Sequence, residues 1–328
     1  MLDRLPTLTP ERYHRIATWT FVLLTVIVFS GAAVRLTGSG LGCPDWPRCT
    51  PADSQVNALG THTLIEFGNR IFSGLVGVLT LVTAVLGFRR RPFRRDLMLL
   101  GLALPLGVVA QAVLGGLTVL YDLRPGFVMG HFGLSMIIEI AAWALYWRSR
   151  PAFEAEQAAT PDRGVLWASR ALAPVGAVVI FAGTAATAAG PHAGGAGTHD
   201  VVKRLYLKGS GTLDWAIRNH AIVAAILGMG VIGALAYSWW KGAGTPLLKA
   251  LGTVVALLVL QGVIGATQYA LELPAELVWV HVGVATCTWV SLLWVWSVAG
   301  SPAGEVSEAS PASRSRGASS SGAAVSGG

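Results

Sequence analysis

Eight long apolar runs dominate the chain and restrict what it can fold into. A helix that crosses a bilayer needs about 20 mostly apolar residues, and each run is close to that length. The chain is 53% hydrophobic and 12% charged, whereas soluble domains carry about 25% charged residues. The sequence therefore predicts an all-α integral membrane protein, with helices over residues 17–34, 64–88, 97–120, 127–147, 167–189, 217–240, 250–271 and 277–299.

The net charge of +7 is distributed in short loops between these runs. Lysine and arginine accumulate on the cytoplasmic side of membrane proteins. Loops on the side of the N-terminus hold 14 of them and the opposite loops hold seven. We therefore expect a multi-pass protein with both termini in the cytoplasm. The basic cluster at residues 89–95 then contacts anionic membrane lipid, and the charge predicts no nucleic-acid partner.

Two stretches of the chain repeat at an offset of 150 residues. Gln111 and His131 in the first recur as Gln261 and His281 in the second. Such repetition predicts two pseudo-symmetric four-helix bundles related by an axis along the membrane normal. The expected organisation is a cytoplasmic N-terminus (1–15), an N-terminal half (16–148), a cytoplasmic linker (149–166), a C-terminal half (167–299) and a disordered cytoplasmic tail (300–328).

Two of the three cysteines, Cys43 and Cys49, bracket a proline-containing loop that we expect outside the cytoplasm. Disulfides persist in such compartments, whereas two thiolates alone make a poor zinc site. We predict a disulfide and leave open whether it is structural or redox-active. The third, Cys287, is predicted to be a small core residue of the eighth helix.

Three histidines occupy matching depths on helices that descend from the outer surface: His131, His220 and His281. Facing histidines in a helix bundle can supply both axial ligands of a haem. The fourth equivalent position, on the second helix, falls at residue 69 or 70, and these are Asn69 and Arg70 rather than histidine. His62 and Glu66 share one helical face with Asn69.

These motifs resemble the haem A synthase family of bacterial cytochrome oxidase assembly. The resemblance rests on GAAVRLTGSGLGCPDWPRC (31–49), IEFGNR (65–70), QAVLGGLTVL (111–120), GPHAG (190–194), QGVIGATQY (261–269) and the three histidines. It implies an eight-helix, two-half enzyme in the bacterial cell membrane. That enzyme would oxidise a methyl group of its substrate haem O to the formyl group of haem A. Haem O synthase and an electron donor would be further partners.

The resemblance also implies the roles of several residues. His220 and His281 would hold a b-type haem in the C-terminal half. His131 would bind the substrate haem, and Glu66 would be the essential glutamate of the N-terminal half. Arg35 and Arg70 are candidates for pairing with haem propionates, although Arg70 also lies four residues from Glu66 and can pair with it.

One position departs from the family. Its usual pattern on the second helix is Glu-x-x-His-Arg, whereas this chain has Asn69 before Arg70. Asparagine is a poor iron ligand. Either His131 alone holds the substrate haem, or His62 reaches in from two turns above.

The chemistry implied by the family requires iron and an oxidant, because side-chain acid–base chemistry does not break a methyl C–H bond. Glu66 would then accept a proton or position a water molecule. The sequence is also compatible with two other classes of protein. One is a haem b-containing membrane electron carrier or quinone oxidoreductase, and the other is a secondary transporter, which would predict broken helices near the midplane.

Overall fold

The structure is a computed structural model that describes residues 7–43, 46–49, 60–151, 153, 162–192, 194–195 and 202–300. The predicted tail at 300–328 lies outside this part except for Gly300, as does half of the predicted linker at 149–166. The described residues form eight α-helices: α1 (Pro10–Leu36), α2 (Thr61–Gly87), α3 (Arg95–Leu120), α4 (Pro125–Ser149), α5 (Arg163–Ala189), α6 (Thr212–Trp240), α7 (Thr245–Ala270) and α8 (Ala275–Val298).

All eight helices are long and apolar enough to cross a membrane. This confirms the predicted segments, and the chain is a multi-pass membrane protein. Large apolar side chains such as Leu106 and Met229 are 69% and 66% exposed on the outside of the bundle. Such exposure suits contact with lipid, which is as apolar as the side chains themselves.

Helix ends follow local signals in the sequence. Thr9 caps α1 through its hydroxyl, which accepts from Arg12 N at 3.4 Å, and Asp162 caps α5 by accepting from Gly164 N at 2.8 Å. Such side chains satisfy backbone donors that lack a partner in the first turn. Helices therefore begin several residues before the apolar runs that predicted them.

The turns that join α3 to α4 and α7 to α8 have the same backbone. Asp122 and Leu123 have φ of 53° and 55°, and Glu272 and Leu273 have φ of 61° and 64°. These left-handed residues reverse the chain within a few positions. The sequence repeat at 150 residues is therefore also a repeat of local structure.

Each half of the chain forms a ring of four helices. In the first half α1 contacts α2 and α4, and α3 contacts α2 and α4; in the second half α5 contacts α6 and α8, and α7 contacts α6 and α8. The rings meet where α1 and α4 pack against α8, and α4 against α5. The axis that would relate them as pseudo-symmetric bundles stays a prediction.

Tryptophan N–H groups bridge this seam between the halves. Trp289 donates to the carbonyl of Met136 at 3.1 Å, and Trp143 donates to Ser297 Oγ at 2.9 Å. An indole N–H inside an apolar bundle needs such a partner. The two halves are therefore joined by directed bonds as well as by packing.

One core prediction is wrong. Cys287 is exposed on the surface of α8, whereas its chain neighbours Thr286 and Thr288 are both buried.

Candidate functional site

The C-terminal half brings two predicted ligands together. His220 on α6 and His281 on α8 have ring centroids 6.2 Å apart, with ring planes at 75°. Metal–imidazole bonds are about 2 Å long, so two imidazoles on opposite sides of one iron have centroids roughly 6 Å apart. The observed separation fits a haem iron held from both sides.

The His220 imidazole is held by a neighbouring helix. His220 Nδ1 lies 3.0 Å from the carbonyl of Val179 on α5, which orients the ring and leaves Nε2 for a metal. A Cβ added at Gly183 would lie 3.0 Å from His220 Cε1. Glycine at 183 therefore gives the imidazole its room.

His281 is supported by α7 in a similar way. Gln261 Nε2 donates to the carbonyl of His281 at 3.0 Å, and a Cβ added at Gly265 would lie 3.4 Å from His281 Cε1. His281 Nδ1 is buried and has no hydrogen-bond partner among the described residues. A buried ring nitrogen without a partner is a group that a ligand or ordered water would satisfy.

The N-terminal half repeats this support around a single histidine. Gln111 Nε2 on α3 donates to the carbonyl of His131 on α4 at 3.0 Å and to Ser135 Oγ at 2.7 Å. A Cβ added at Gly115 would lie 3.2 Å from His131 Cε1. Among the described side chains none pairs with His131 Nδ1, which is buried.

Glu66 on α2 is buried and held by two partners. Its Oε2 accepts from the backbone N–H of Cys43 at 2.8 Å. Its Oε1 accepts from Arg70 Nη2 at 2.5 Å, as an ion pair on one helix face. The pairing of Arg70 with Glu66, which the sequence left open, is therefore present. These bonds fix the carboxylate in one orientation.

The described part of the loop between α1 and α2, residues 37–43 and 46–49, contacts α2 and α3 at this end of the N-terminal half. The predicted disulfide between Cys43 and Cys49 is present. Arg70 Nη1 donates to the carbonyl of Arg48 at 3.2 Å. The Glu66–Arg70 ion pair is therefore bonded to the loop at Cys43 and at Arg48, next to each end of the disulfide. The loop also lays the Trp46 indole against α3, where a Cβ at Gly116 would lie 2.8 Å from Trp46 Cδ2.

The other predicted residues lie around this loop or at the seam of the halves. His62 Nδ1 is 2.8 Å from Ser39 Oγ. Arg35 Nε donates to the carbonyl of His192 at 3.1 Å, and His192 Nε2 lies 2.6 Å from the carbonyl of Leu273. His192 therefore connects the α5–α6 loop to the α7–α8 turn, and Arg35 binds to this connection.

Asn69 has a partner that sequence reasoning missed. Ser30 Oγ on α1 donates to Asn69 Oδ1 at 2.6 Å. The supporting glycines, Gly115 and Gly183, were also missed as neighbours of the histidines. Gly115 was visible as part of the 150-residue repeat, whereas nothing in the local pattern links Ser30 with Asn69.

The model of the COX15-CtaA family, described as cytochrome oxidase assembly protein, matches residues 14–59 and 51–200, which is more than half of the 328 residues. The chain belongs to this family. The match covers Glu66, Asn69 and His131, whereas His220 and His281 lie beyond it.

Individual members of the family are similar over a shorter length. A heme A synthase of Listeria welshimeri is 32% identical over 119 residues, or 36% of this chain and 39% of the relative. A heme A synthase of Bacillus mycoides is 33% identical over 129 residues, or 38% of this chain and 41% of the relative. The matches thus span 39% to 41% of these curated relatives.

Proposed function

We propose that this family member is a haem A synthase, which oxidises the methyl group of haem O to the formyl group of haem A for cytochrome oxidase biogenesis. The observation that carries the proposal is the difference between the two halves. One half pairs two imidazoles at 6.2 Å, and the other sets a single supported histidine in the same half as a fixed glutamate. The first arrangement suits a resident haem and the second suits a substrate haem.

The resident group would be a b-type haem between His220 and His281 in the C-terminal half. The residues fit it, because the imidazoles are spaced for one iron and His281 Nδ1 is buried without a partner in the described chain. When bound, the haem would supply one-electron redox chemistry. The protein's own part is to hold the His220 ring through the Val179 carbonyl and the His281 backbone through Gln261.

Haem O would bind in the N-terminal half with His131 as its iron ligand. Glu66 would act on the reacting methyl group by accepting a proton or positioning a water molecule. Its two oxygens are already engaged by Cys43 N–H and Arg70, so the carboxylate is held before substrate arrives and loses little freedom on binding. The disulfide loop would exclude bulk water from this end.

The remaining assignments belong to the same proposal. Residues 16–148 form the substrate half and 167–299 the haem b half, in a bacterial cell membrane with both termini cytoplasmic. Arg35 and Arg70 would pair with haem propionates near the disulfide loop, Arg70 while it also holds Glu66. Haem O synthase and an electron donor would be partners. The family match favours this enzyme over an electron carrier or a transporter.

Expression in a bacterium that makes haem O but lacks its own haem A synthase tests the function. We expect extracted pigment to contain haem A when the full chain is expressed. Expression of His131→Ala at equal protein level should leave haem O unconverted. Haem O alone from cells that accumulate the wild-type protein would contradict the proposal.

A further inference from the structure

Two residues that contact each other in the N-terminal half, Ser30 and Asn69, are replaced by other residue types in the C-terminal half. Aligning Phe29-Ser30-Gly31 on α1 with Phe181-Ala182-Gly183 on α5 places serine opposite alanine. On the helices that follow each, the repeat places His220 opposite residues 69–70, which are asparagine and arginine. The altered pair is in direct contact, since Ser30 donates to Asn69 Oδ1 at 2.6 Å.

The space beside the two aligned glycines, Gly31 and Gly183, also differs. A Cβ added at Gly183 would lie 3.0 Å from His220 Cε1, whereas a Cβ added at Gly31 would meet no atom within 4 Å. Asn69 is shorter than histidine, and its carbonyl oxygen is turned to Ser30. The imidazole that fills the C-terminal half on this side therefore has no counterpart in the N-terminal half.

The amide nitrogen of Asn69 remains available. With Oδ1 occupied by Ser30, Nδ2 carries two donor hydrogens, and it has no hydrogen-bond partner among the described residues. His62 lies seven residues earlier on α2, about 10 Å away along the helix axis, and its Nδ1 is beside Ser39 Oγ.

We propose that Ser30 and Asn69 form a distal pair that leaves one iron position of the N-terminal haem open and aims an amide N–H at a small neutral ligand there, such as dioxygen or water. This rests on the proposed function in one respect, that His131 holds a haem. Ser30 is a positioning residue that fixes the amide orientation, and Asn69 makes the contact. The C-terminal haem, closed by His220 and His281, takes no such ligand.

Carbon monoxide is a direct probe, because it binds reduced haem with an open position and leaves bis-histidine haem unchanged. The full chain would be purified from cells that make haem O, reduced, and exposed to the gas. We expect a carbon monoxide difference spectrum from wild type and its loss in His131→Ala. Asn69→His should also lose it and gain low-spin bis-histidine absorbance, since the open space beside Gly31 admits the larger ring.

Two further variants test the hydrogen bond and do not depend on the folding of Asn69→His. The infrared C–O stretch should move to higher frequency in Asn69→Ala, because a donor near the bound oxygen atom weakens the C–O bond. In Ser30→Ala the band should broaden while gas binding is kept. An unchanged stretch in Asn69→Ala would overturn the role of the amide.

The outcomes separate this inference from the function it rests on. If wild type binds a second haem through His131 but takes up no carbon monoxide, the position is closed and the inference fails while the function stands. Recovery of gas binding in His62→Ala would then identify His62 as the closing ligand. If His131→Ala has the same haem content as wild type, the proposed substrate site itself is wrong.

Discussion

The histidines of the two halves are supported by hydrogen bonds from neighbouring helices. His220 is fixed through Nδ1 by a backbone carbonyl, and the backbones of His131 and His281 are each held by a glutamine twenty residues earlier. Supporting bonds of this kind set the orientation of a metal ligand before the metal binds. The glutamine support of His131 and His281 is thus the same in the two halves, whereas Asn69 in the first half is bound to Ser30.

Removal of either C-terminal imidazole tests the resident haem. In His220→Ala and His281→Ala the reduced bis-histidine b-type spectrum should be lost, because each variant leaves the iron one protein ligand. The absorbance of purified protein, normalised to its concentration, measures this. Preservation of the full bis-histidine spectrum in either variant would show that the ligand lies elsewhere.

Steric room at Gly183 gives a second residue-level prediction. A methyl group there would lie 3.0 Å from His220 Cε1, closer than a normal contact, so Gly183→Ala should shift the ring and reduce haem retention. Gly228→Ala on α6 is the matched control, since its Cβ meets no atom within 4 Å. Equal haem content in the two variants would contradict the role of glycine at 183.

A disulfide between Cys43 and Cys49 constrains the described part of the α1–α2 loop. Cys43 is fully buried, and its N–H and the Arg48 carbonyl are bound to the Glu66–Arg70 pair. The disulfide therefore bonds together the two points of the loop that hold the carboxylate. Mass measurement after alkylation without reductant should show Cys43 and Cys49 unalkylated, because a disulfide offers no free thiol, with the free Cys287 as the alkylation control. Alkylation of Cys43 and Cys49 would refute the bond.

Backbone packing of the same loop against α2 predicts a stability effect. A Cβ at Gly42 would lie 2.5 Å from the carbonyl oxygen of His62. Gly42→Ala should therefore lower stability by about 1–3 kcal/mol, the usual cost of overpacking, seen as a lower Tm in detergent. Gly252→Ala on α7, where nothing lies within 4 Å, should keep or raise Tm because alanine favours helix. A Tm for Gly42→Ala at or above wild type would contradict the packing.

Over the whole molecule, the predicted and the missed features differ in their physical origin. Helix positions depend on length and hydropathy, which are local, so all eight segments were predicted from sequence. The helix starts were placed late because caps such as Thr9 and Asp162 are polar and lie outside the apolar runs. The bond between Ser30 and Asn69 joins positions 39 residues apart on different helices, and no periodicity within one helix encodes it.

The division of labour between the halves is the central claim, and the ratio of haem O to haem A in extracted pigment tests it most directly. Glu66→Ala and His131→Ala should accumulate haem O and still show the C-terminal bis-histidine spectrum, while Asn69→Ala keeps appreciable conversion because asparagine is not an iron ligand. His62→Ala should lose conversion in part at most. Normal conversion in His131→Ala, or a loss in Asn69→Ala as complete as in Glu66→Ala, would contradict the account.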